Sequence, residues 1–136
     1  MLIHKAIREQ IAELLQSLDP TIKVWAGRPT FIDLDNEPTT LAVFIDDAQS
    51  EPTGLCGGEW EAILNIAIYQ RSTQGEAPLD ELAEQNIQCL AEAFENDDLE
   101  SLQQCYLTGY HYEQDAQKRT WYIANLQYQI TYGQEE

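Results

Sequence analysis

Apolar residues near the start of the chain recur at intervals of three and four positions, the spacing of one face of an α-helix. The apolar set is Ile3, Ile7, Ile11, Leu14, Leu15 and Leu18, and mainly charged and amide residues occupy the opposite side. The pattern predicts an amphipathic helix with one buried stripe. This helix ends at Asp19, because the residue before Pro20 is disfavoured in the helical region.

A second helical pattern follows Pro78, a residue that suits the first turn of a helix. Its apolar stripe consists of Leu79, Leu82, Ala83, Ile87, Leu90 and Phe94. The acidic and amide residues at 96–98 interrupt the stripe. We expect no more than a short helical turn over residues 99–104.

The remaining apolar segments alternate or are rich in β-branched and aromatic residues, as strands are. They cover residues 23–25, 41–45, 60–69, 106–113 and 121–132, with loops at 46–58 and 71–77, and the last two pair as a hairpin. The final strand alternates apolar residues with asparagine and glutamine, which is typical of a sheet covered by helices on one side. The prediction is an α+β fold in one domain, residues 1–136. It has a twisted mixed or antiparallel sheet of about five strands, and two main helices packed on one face.

Composition supports a folded domain and excludes several functions. The 136 residues are 43% hydrophobic, enough for one core, and 24 acids against 7 bases give a net charge of −17. An acidic surface of this kind does not favour binding to nucleic acid phosphates or to an anionic membrane. No apolar run approaches the roughly 20 residues of a membrane-spanning helix, and the charged N-terminal segment is unlike a signal peptide.

The charge is unevenly distributed along the chain. Residues 1–28 hold four bases and three acids, whereas residues 72–117 hold eleven acids and no base. One interpretation is a solvated surface that keeps the protein soluble. The alternative is a surface that must repel an anion.

Catalytic chemistry is not indicated by the histidines or cysteines. His4 and His111 have no serine or cysteine partner in a nucleophile motif. Three widely spaced cysteines, Cys56, Cys89 and Cys105, favour a reducing compartment over a disulfide framework. In the glycine-rich loop 54–58, neighbouring acids would raise the pKa of the Cys56 thiol and lower its reactivity.

Acidic clusters at 33–37 and 46–47 contain oxygen ligands of the kind that bind Mg²⁺ or Ca²⁺. They lack the glycine and the closing glutamate of an EF-hand, so a solvated acidic loop is the favoured interpretation. From the residues alone we predict no catalytic, cofactor-binding or metal-binding residue. An assembly component fits this description better than an enzyme does.

Three stretches, in order, resemble a known family. They are Gly27 to Phe31 with Pro38 and the strand 41–45, the strand that begins at Trp60, and a closing hairpin with Gly109 to Tyr112, Asp115, Trp121 and Ile130 to Tyr132. Together with the two helices, they are similar to the lambda-type phage minor tail protein U family, the tail terminators. The resemblance covers nearly the whole chain. The loops at 49–58 and 71–77 depart from the family pattern.

The resemblance implies a protein that is not an enzyme, in the tail of a phage or prophage virion and in the host cytoplasm during assembly. It implies a ring, a hexamer, that caps the head-proximal end of the tail tube, stops polymerisation and provides the surface for head–tail joining. The implied partners are further copies of the chain, the major tail tube protein and a head-completion or connector protein. DNA would pass through the ring without specific binding, and no membrane is involved. No cofactor is required, and Mg²⁺ is a candidate promoter of oligomerisation, with Asp80 and Glu81 as weak ligand candidates.

Because bases are scarce, Arg28, Arg71, Lys118 and Arg119 are candidate contacts with a neighbouring subunit or with the tube; ordinary surface charge is the alternative. The polar sheet face and the closing hairpin are candidate ring interfaces, and the base-free stretch 72–117 is a candidate lumen wall. Three other functions stay open from the residues. They are a small acidic binding or regulatory module that mimics DNA, another head–tail completion protein, and a hydrolase with a carboxylate pair.

Overall fold

The computed structural model describes residues 2–51 and 58–133. In chain order the elements are α1 (Leu2–Leu18), β1 (Lys23–Ala26), β2 (Thr39–Glu51), β3 (Glu59–Arg71), α2 (Ala77–Glu95), β4 (Gln104–Gln114) and β5 (Trp121–Gly133). The five strands form one sheet in the order β1-β2-β3-β5-β4. Only β1 and β2 pair in parallel, and the other neighbours are antiparallel. The predicted α+β fold, with its mixed five-stranded sheet, is confirmed.

Both helices pack on the same face of the sheet. α1 lies against β1 and β2, and α2 lies against β5 and β3, so the two helices sit side by side. Alternate residues of the two central strands supply the sheet side of this core, among them Leu64, Ile66, Leu126 and Ile130. Each of these four side chains is fully buried. This burial of apolar surface is the main stabilising contribution to the fold.

The strand β2 extends well beyond its predicted end at residue 45. It continues to Glu51, so the loop predicted over residues 46–58 was wrong for residues 46–51. Residues 52–57 of that prediction lie outside the described residues. The pairing with β3 shifts register between Asp46 and Gln49, where Asp47 takes a φ of 50°. A bulge of this kind lets an acidic, weakly strand-forming stretch stay in the sheet. Residues 99–102 form one hydrogen-bonded turn, from Leu102 N–H to the Leu99 carbonyl, rather than a helix.

The sheet face away from the helices is only partly polar. Leu34, Ala42 and Ala67 are buried there outside the helix-side core, and the two alanines lie opposite each other on β2 and β3. The chain reaches this face after Gly27, whose φ of 140° favours glycine. We call residues 28–38 the crossing segment, because its side chains reach from Asp46 on β2 to Trp121 on β5. The prediction of one polar sheet face is corrected accordingly.

Candidate assembly site

Asp35 anchors the crossing segment to the sheet. Its carboxylate accepts hydrogen bonds from Lys118 Nζ at 3.1 Å and Trp121 Nε1 at 3.4 Å, and Arg71 Nη1 lies 3.7 Å away. Arg71 Nη1 also donates to the Asp35 backbone carbonyl at 3.4 Å. Two of the four candidate bases therefore converge on one acid of the same chain. All of these side chains are partly exposed to solvent, so each ion pair alone contributes little to stability.

Arg28 is held at the other end of the crossing segment. Its guanidinium pairs with the Asp46 carboxylate and lies 4.7 Å from the centre of the Phe44 ring. Asp46 also accepts a hydrogen bond from Asn65 Nδ2 at 2.9 Å, and Asn65 Oδ1 accepts one from Asn125 Nδ2 at 2.9 Å. This polar ladder across β2, β3 and β5 satisfies the buried Asn65 amide, which would otherwise be costly to bury.

Arg119 differs from the other three candidate bases. It lies in the exposed β4–β5 turn, where its backbone carbonyl accepts a hydrogen bond from Gln114 Nε2 at 2.6 Å. Its guanidinium makes no ion pair with any residue in the described ranges, unlike those of Arg28 and Arg71 and the ammonium of Lys118. Nothing in the sequence distinguished the four bases. In the structure, Arg119 is the one whose charged group forms no ion pair within the described residues.

Several of the carboxylates considered as metal ligands have structural partners. Asp33 accepts hydrogen bonds from the Asp35 backbone N–H and the Asn36 amide, and Asp80 accepts one from the Tyr112 hydroxyl at 2.5 Å. Within residues 2–51 and 58–133, no group of three His, Cys, Asp or Glu side chains is arranged to hold a metal ion. Asp80, one of the two weak candidates for Mg²⁺, thus helps fix α2 to β4.

The described histidines have side-chain partners, and the described cysteines are partly buried. His4 Nε2 is hydrogen-bonded to the Tyr132 hydroxyl, and partial burial is the main cause that lowers the pKa of His4. His111 Nε2 lies 3.2 Å from a Glu113 carboxylate oxygen on the exposed β4 strand. Burial raises the pKa of the Cys105 thiol to about 11, which disfavours the reactive thiolate. The prediction for the loop around Cys56 lies outside the described residues.

Sequence reasoning made the closing hairpin a candidate ring interface but did not predict that β4 exposes large apolar side chains. Four of the seven large exposed hydrophobic side chains in the described ranges lie on this strand: Tyr106, Leu107, Tyr110 and Tyr112. A groove of about 250 Å³ runs between α2 and β4, and Leu107 is one of its lining residues. The available signal was the aromatic, strand-like pattern of residues 106–112.

The Asp35 anchor predicts a specific dependence of stability on pH. The hydrogen bond from Lys118 is the main cause that lowers the pKa of Asp35 below its ordinary value of 3.8. A carboxyl group with a lowered folded-state pKa stabilises the fold above its unfolded pKa, and this stabilisation is lost as the pH falls through the folded-state pKa. Asp35→Asn should therefore lower the urea midpoint at pH 7, and the difference from wild type should shrink below pH about 3.5.

The matched control for this prediction is Glu37→Gln. The Glu37 side chain lies in the same segment and makes no hydrogen bond or ion pair in the described structure. Its midpoint should track that of wild type at both pH values. A loss in Asp35→Asn that stays the same at pH 7 and pH 3 would show that the carboxylate charge is not what holds the crossing segment.

The described residues define a class of protein. Ion pairs and a polar ladder fix one sheet face, and β4 exposes large apolar and aromatic side chains at one edge. No helix in the described ranges has the length and apolar character needed to cross a membrane. These are the features of a small structural protein that functions through contacts with other proteins.

Comparison with known proteins places the chain within this class. The model of the phage minor tail protein U family matches residues 2–132, and the chain belongs to that family. It is 32% identical over 132 residues to the tail tube terminator protein of Escherichia phage N15, covering 95% of this chain and 97% of that one. It is 26% identical over 130 residues to the tail tube terminator protein of Escherichia phage lambda, with the same coverage of each chain. The resemblance identified from the sequence is confirmed.

Proposed function

We propose that this chain terminates a phage tail tube. In this proposal, six copies form a ring on the head-proximal end of the tube, stop its polymerisation and present a surface to a head-completion or connector protein. The observation that carries the proposal is the match of nearly the whole chain to proteins named tail tube terminators. The proposal also places the protein in the tail of the virion.

The mechanism follows from symmetry. A tube of stacked rings grows as long as each added ring exposes the same kind of face as the ring to which it was added. A terminator must match the growing end on one face and differ on the other, so its ring must be formed by head-to-tail contacts around the axis. The chain has the necessary asymmetry, since its sheet carries helices on one face and the crossing segment on the other.

The uneven distribution of charge along the chain suits the passage of DNA. The stretch 72–117 contains eleven acids and no base, and its helix α2 exposes carboxylates such as Glu81, Glu84 and Glu92. If part of this surface lines the lumen, its negative potential repels phosphates and lets DNA slide without binding. Arg119, at the tip of the β4–β5 turn, is the candidate contact with the tube.

The net charge predicts how the ring is controlled. Free subunits of charge −17 repel one another, and Mg²⁺ that binds carboxylates should neutralise part of that charge, beyond the screening that sodium gives at equal ionic strength. In sedimentation experiments at low salt, the protein should be mainly monomeric in EDTA and shift toward a hexamer with millimolar Mg²⁺. A sodium chloride sample of matched ionic strength is the control for simple screening.

Two other sedimentation results would contradict different parts of the proposal. A stable hexamer in EDTA at low salt would overturn the charge-repulsion model while supporting the ring. A protein that remains monomeric under all of these conditions, and also in the presence of tail tube, would overturn the ring itself.

A further inference from the structure

The helix layer leaves most of one strand uncovered. α1 lies against β1 and β2, and α2 lies against β5 and β3, so the helix-side face of β4 has no helix over it. The register with β5 shows which β4 side chains share the core side of the sheet, since they lie opposite the core residues of β5: Cys105, Leu107, Tyr110 and Tyr112. The last three of these are exposed. The apolar surface of the sheet therefore continues beyond the edge of α2.

A groove runs along this uncovered face, between α2 and β4. Its volume is about 250 Å³, and its lining includes Ile87, Leu90, Phe94, Cys105, Leu107 and Tyr128. Tyr128 is only 4% exposed, and its hydroxyl is buried with no hydrogen-bond partner in the described structure. A buried polar group without a partner is costly, and native proteins rarely leave one unpaired. We call this surface the β4 groove, and these features indicate that the free chain leaves it incomplete.

The shape of the uncovered face favours a third helix as its occupant. Neighbouring strands lie about 4.8 Å apart and packed helices roughly 8 to 10 Å apart, so a helix placed beside α2 lies over β4. The alternative is a strand added to the edge of β4. The register of β4 with β5 shifts between Leu107 and Gly109, and a bulge of this kind interrupts the regular row of backbone groups that an added strand needs.

Carboxylates lie along the α2 side of the β4 groove. Glu95 is one of its lining residues. Burial is the main cause that raises the pKa of Tyr110 on the β4 side, and the charges of Asp80 and Glu84 add to it, which places both acids close to that strand. None of the three acids forms an ion pair with a base in the described residues, and residues 72–117 contain no base. A complementary occupant therefore carries lysine or arginine.

A second copy of this chain has no helix of that chemistry. α1 buries its apolar stripe in its own core. Its bases, Lys5 and Arg8, are balanced by Glu9 and Glu13, and Lys5 is paired with Glu9. α2 contains no base. The occupant that the β4 groove fits is therefore part of another protein.

We propose that the β4 groove binds an amphipathic helix of another protein, one whose apolar stripe is flanked by lysine or arginine. The apolar stripe packs on Leu107 and Tyr110 beside α2, and the bases face Glu84 and Glu95. Binding of an amphipathic helix in an apolar groove is a common mode of recognition. One subunit holds the whole site, so the proposal does not depend on the ring and adds a partner-binding surface to the proposed terminator.

The test uses two synthetic peptides of leucine and lysine, each of about 15 residues, a length at which a short helix can form. One peptide has its leucines at helical spacing, and the other has the same composition in strict alternation, the pattern of a strand. Physiological salt screens general attraction to the acidic surface. The helical peptide should bind the isolated chain one-to-one, gain helix by circular dichroism, and shift amide resonances of α2 and β4. The alternating peptide should bind at least about tenfold more weakly.

Two charge-reversed variants of α2 are matched to each other. Glu84→Lys/Glu95→Lys changes the β4 groove, and Glu81→Lys/Glu92→Lys makes the same change of net charge elsewhere on the same helix. Glu81 lines a cavity at the start of β1, and burial together with the nearby charge of Glu92 raises the pKa of Cys89. The first variant should weaken binding of the helical peptide at least about tenfold, and the second no more than about twofold.

Leu107→Ser tests the apolar contact and should also weaken binding of the helical peptide, with folding checked by circular dichroism. If that variant does not fold, the two double variants decide the outcome, because all four of their substituted positions are exposed. Equal losses in the two double variants, equal binding of the alternating peptide, or no saturable binding would overturn the proposal. So would a helical peptide that dissociates the wild type assembled with Mg²⁺, because the β4 groove would then be a contact between copies of this chain.

Discussion

Replacing Leu34 with alanine is expected to lower the free energy of unfolding by about 2 to 4 kcal/mol. Leu34 is only 1% exposed, although it lies in a segment without helix or strand and outside the helix-side core. The substitution removes apolar contacts and leaves a cavity between the crossing segment and the sheet, and both effects destabilise the fold. Urea denaturation measured by tryptophan fluorescence and circular dichroism gives the change directly.

The neighbouring Phe31 supplies the control. Because the Phe31 side chain is 73% exposed, Phe31→Ala should change the free energy of unfolding by no more than about 0.5 kcal/mol. A loss below about 1 kcal/mol for Leu34→Ala would contradict the view that the crossing segment forms a second packed layer. The Asp35 anchor would then be the main attachment of that segment.

Reversing the charge of Arg119 is expected to weaken tube termination at least about tenfold without affecting the fold. The guanidinium has no ion pair in the described structure, so Arg119→Glu should leave the urea midpoint of the isolated protein unchanged. In the proposed ring, each subunit loses one attractive contact with the tube and gains a repulsive one. Because the ring repeats this change in every copy, modest losses of binding free energy add up. The measurement is the concentration of protein needed to stop tube growth.

Arg71→Glu provides the contrast for this prediction. Arg71 lies beside Asp35, so its reversal should lower the stability of the isolated subunit, which the Arg119 variant does not do. Normal termination and normal ring formation by Arg119→Glu at low and physiological salt would remove Arg119 from the contact surface. The salt series matters because exposed charge contacts weaken as ionic strength rises.

The elements of the fold with strong periodicity could be predicted from the sequence. The apolar stripes of α1 and α2 have helical spacing, and β5 alternates from Tyr122 to Tyr132, so their identity and buried faces follow from the pattern alone. The family could also be identified, because its short motifs occur in order along nearly the whole chain.

The features that were missed depend on contacts between distant residues. The acidic residues of β2 beyond Asp46 lack strand propensity, and their pairing with β3 across a bulge holds them in the sheet. Asp35 and Lys118 are 83 positions apart, and no local signal pairs them. The groove between α2 and β4 depends on how far α2 covers the sheet, which periodicity does not specify. Sequence reasoning therefore found the four candidate bases but not which of them the fold uses internally.

The most direct test of the proposed function is electron microscopy of tail tubes polymerised from the major tail tube protein in the presence of this chain. We predict tubes that stop growing with a six-fold ring of the chain at one end only, and a lumen wide enough for DNA. Tubes that grow to the same lengths with and without the protein, or protein distributed along the tube walls, would contradict it.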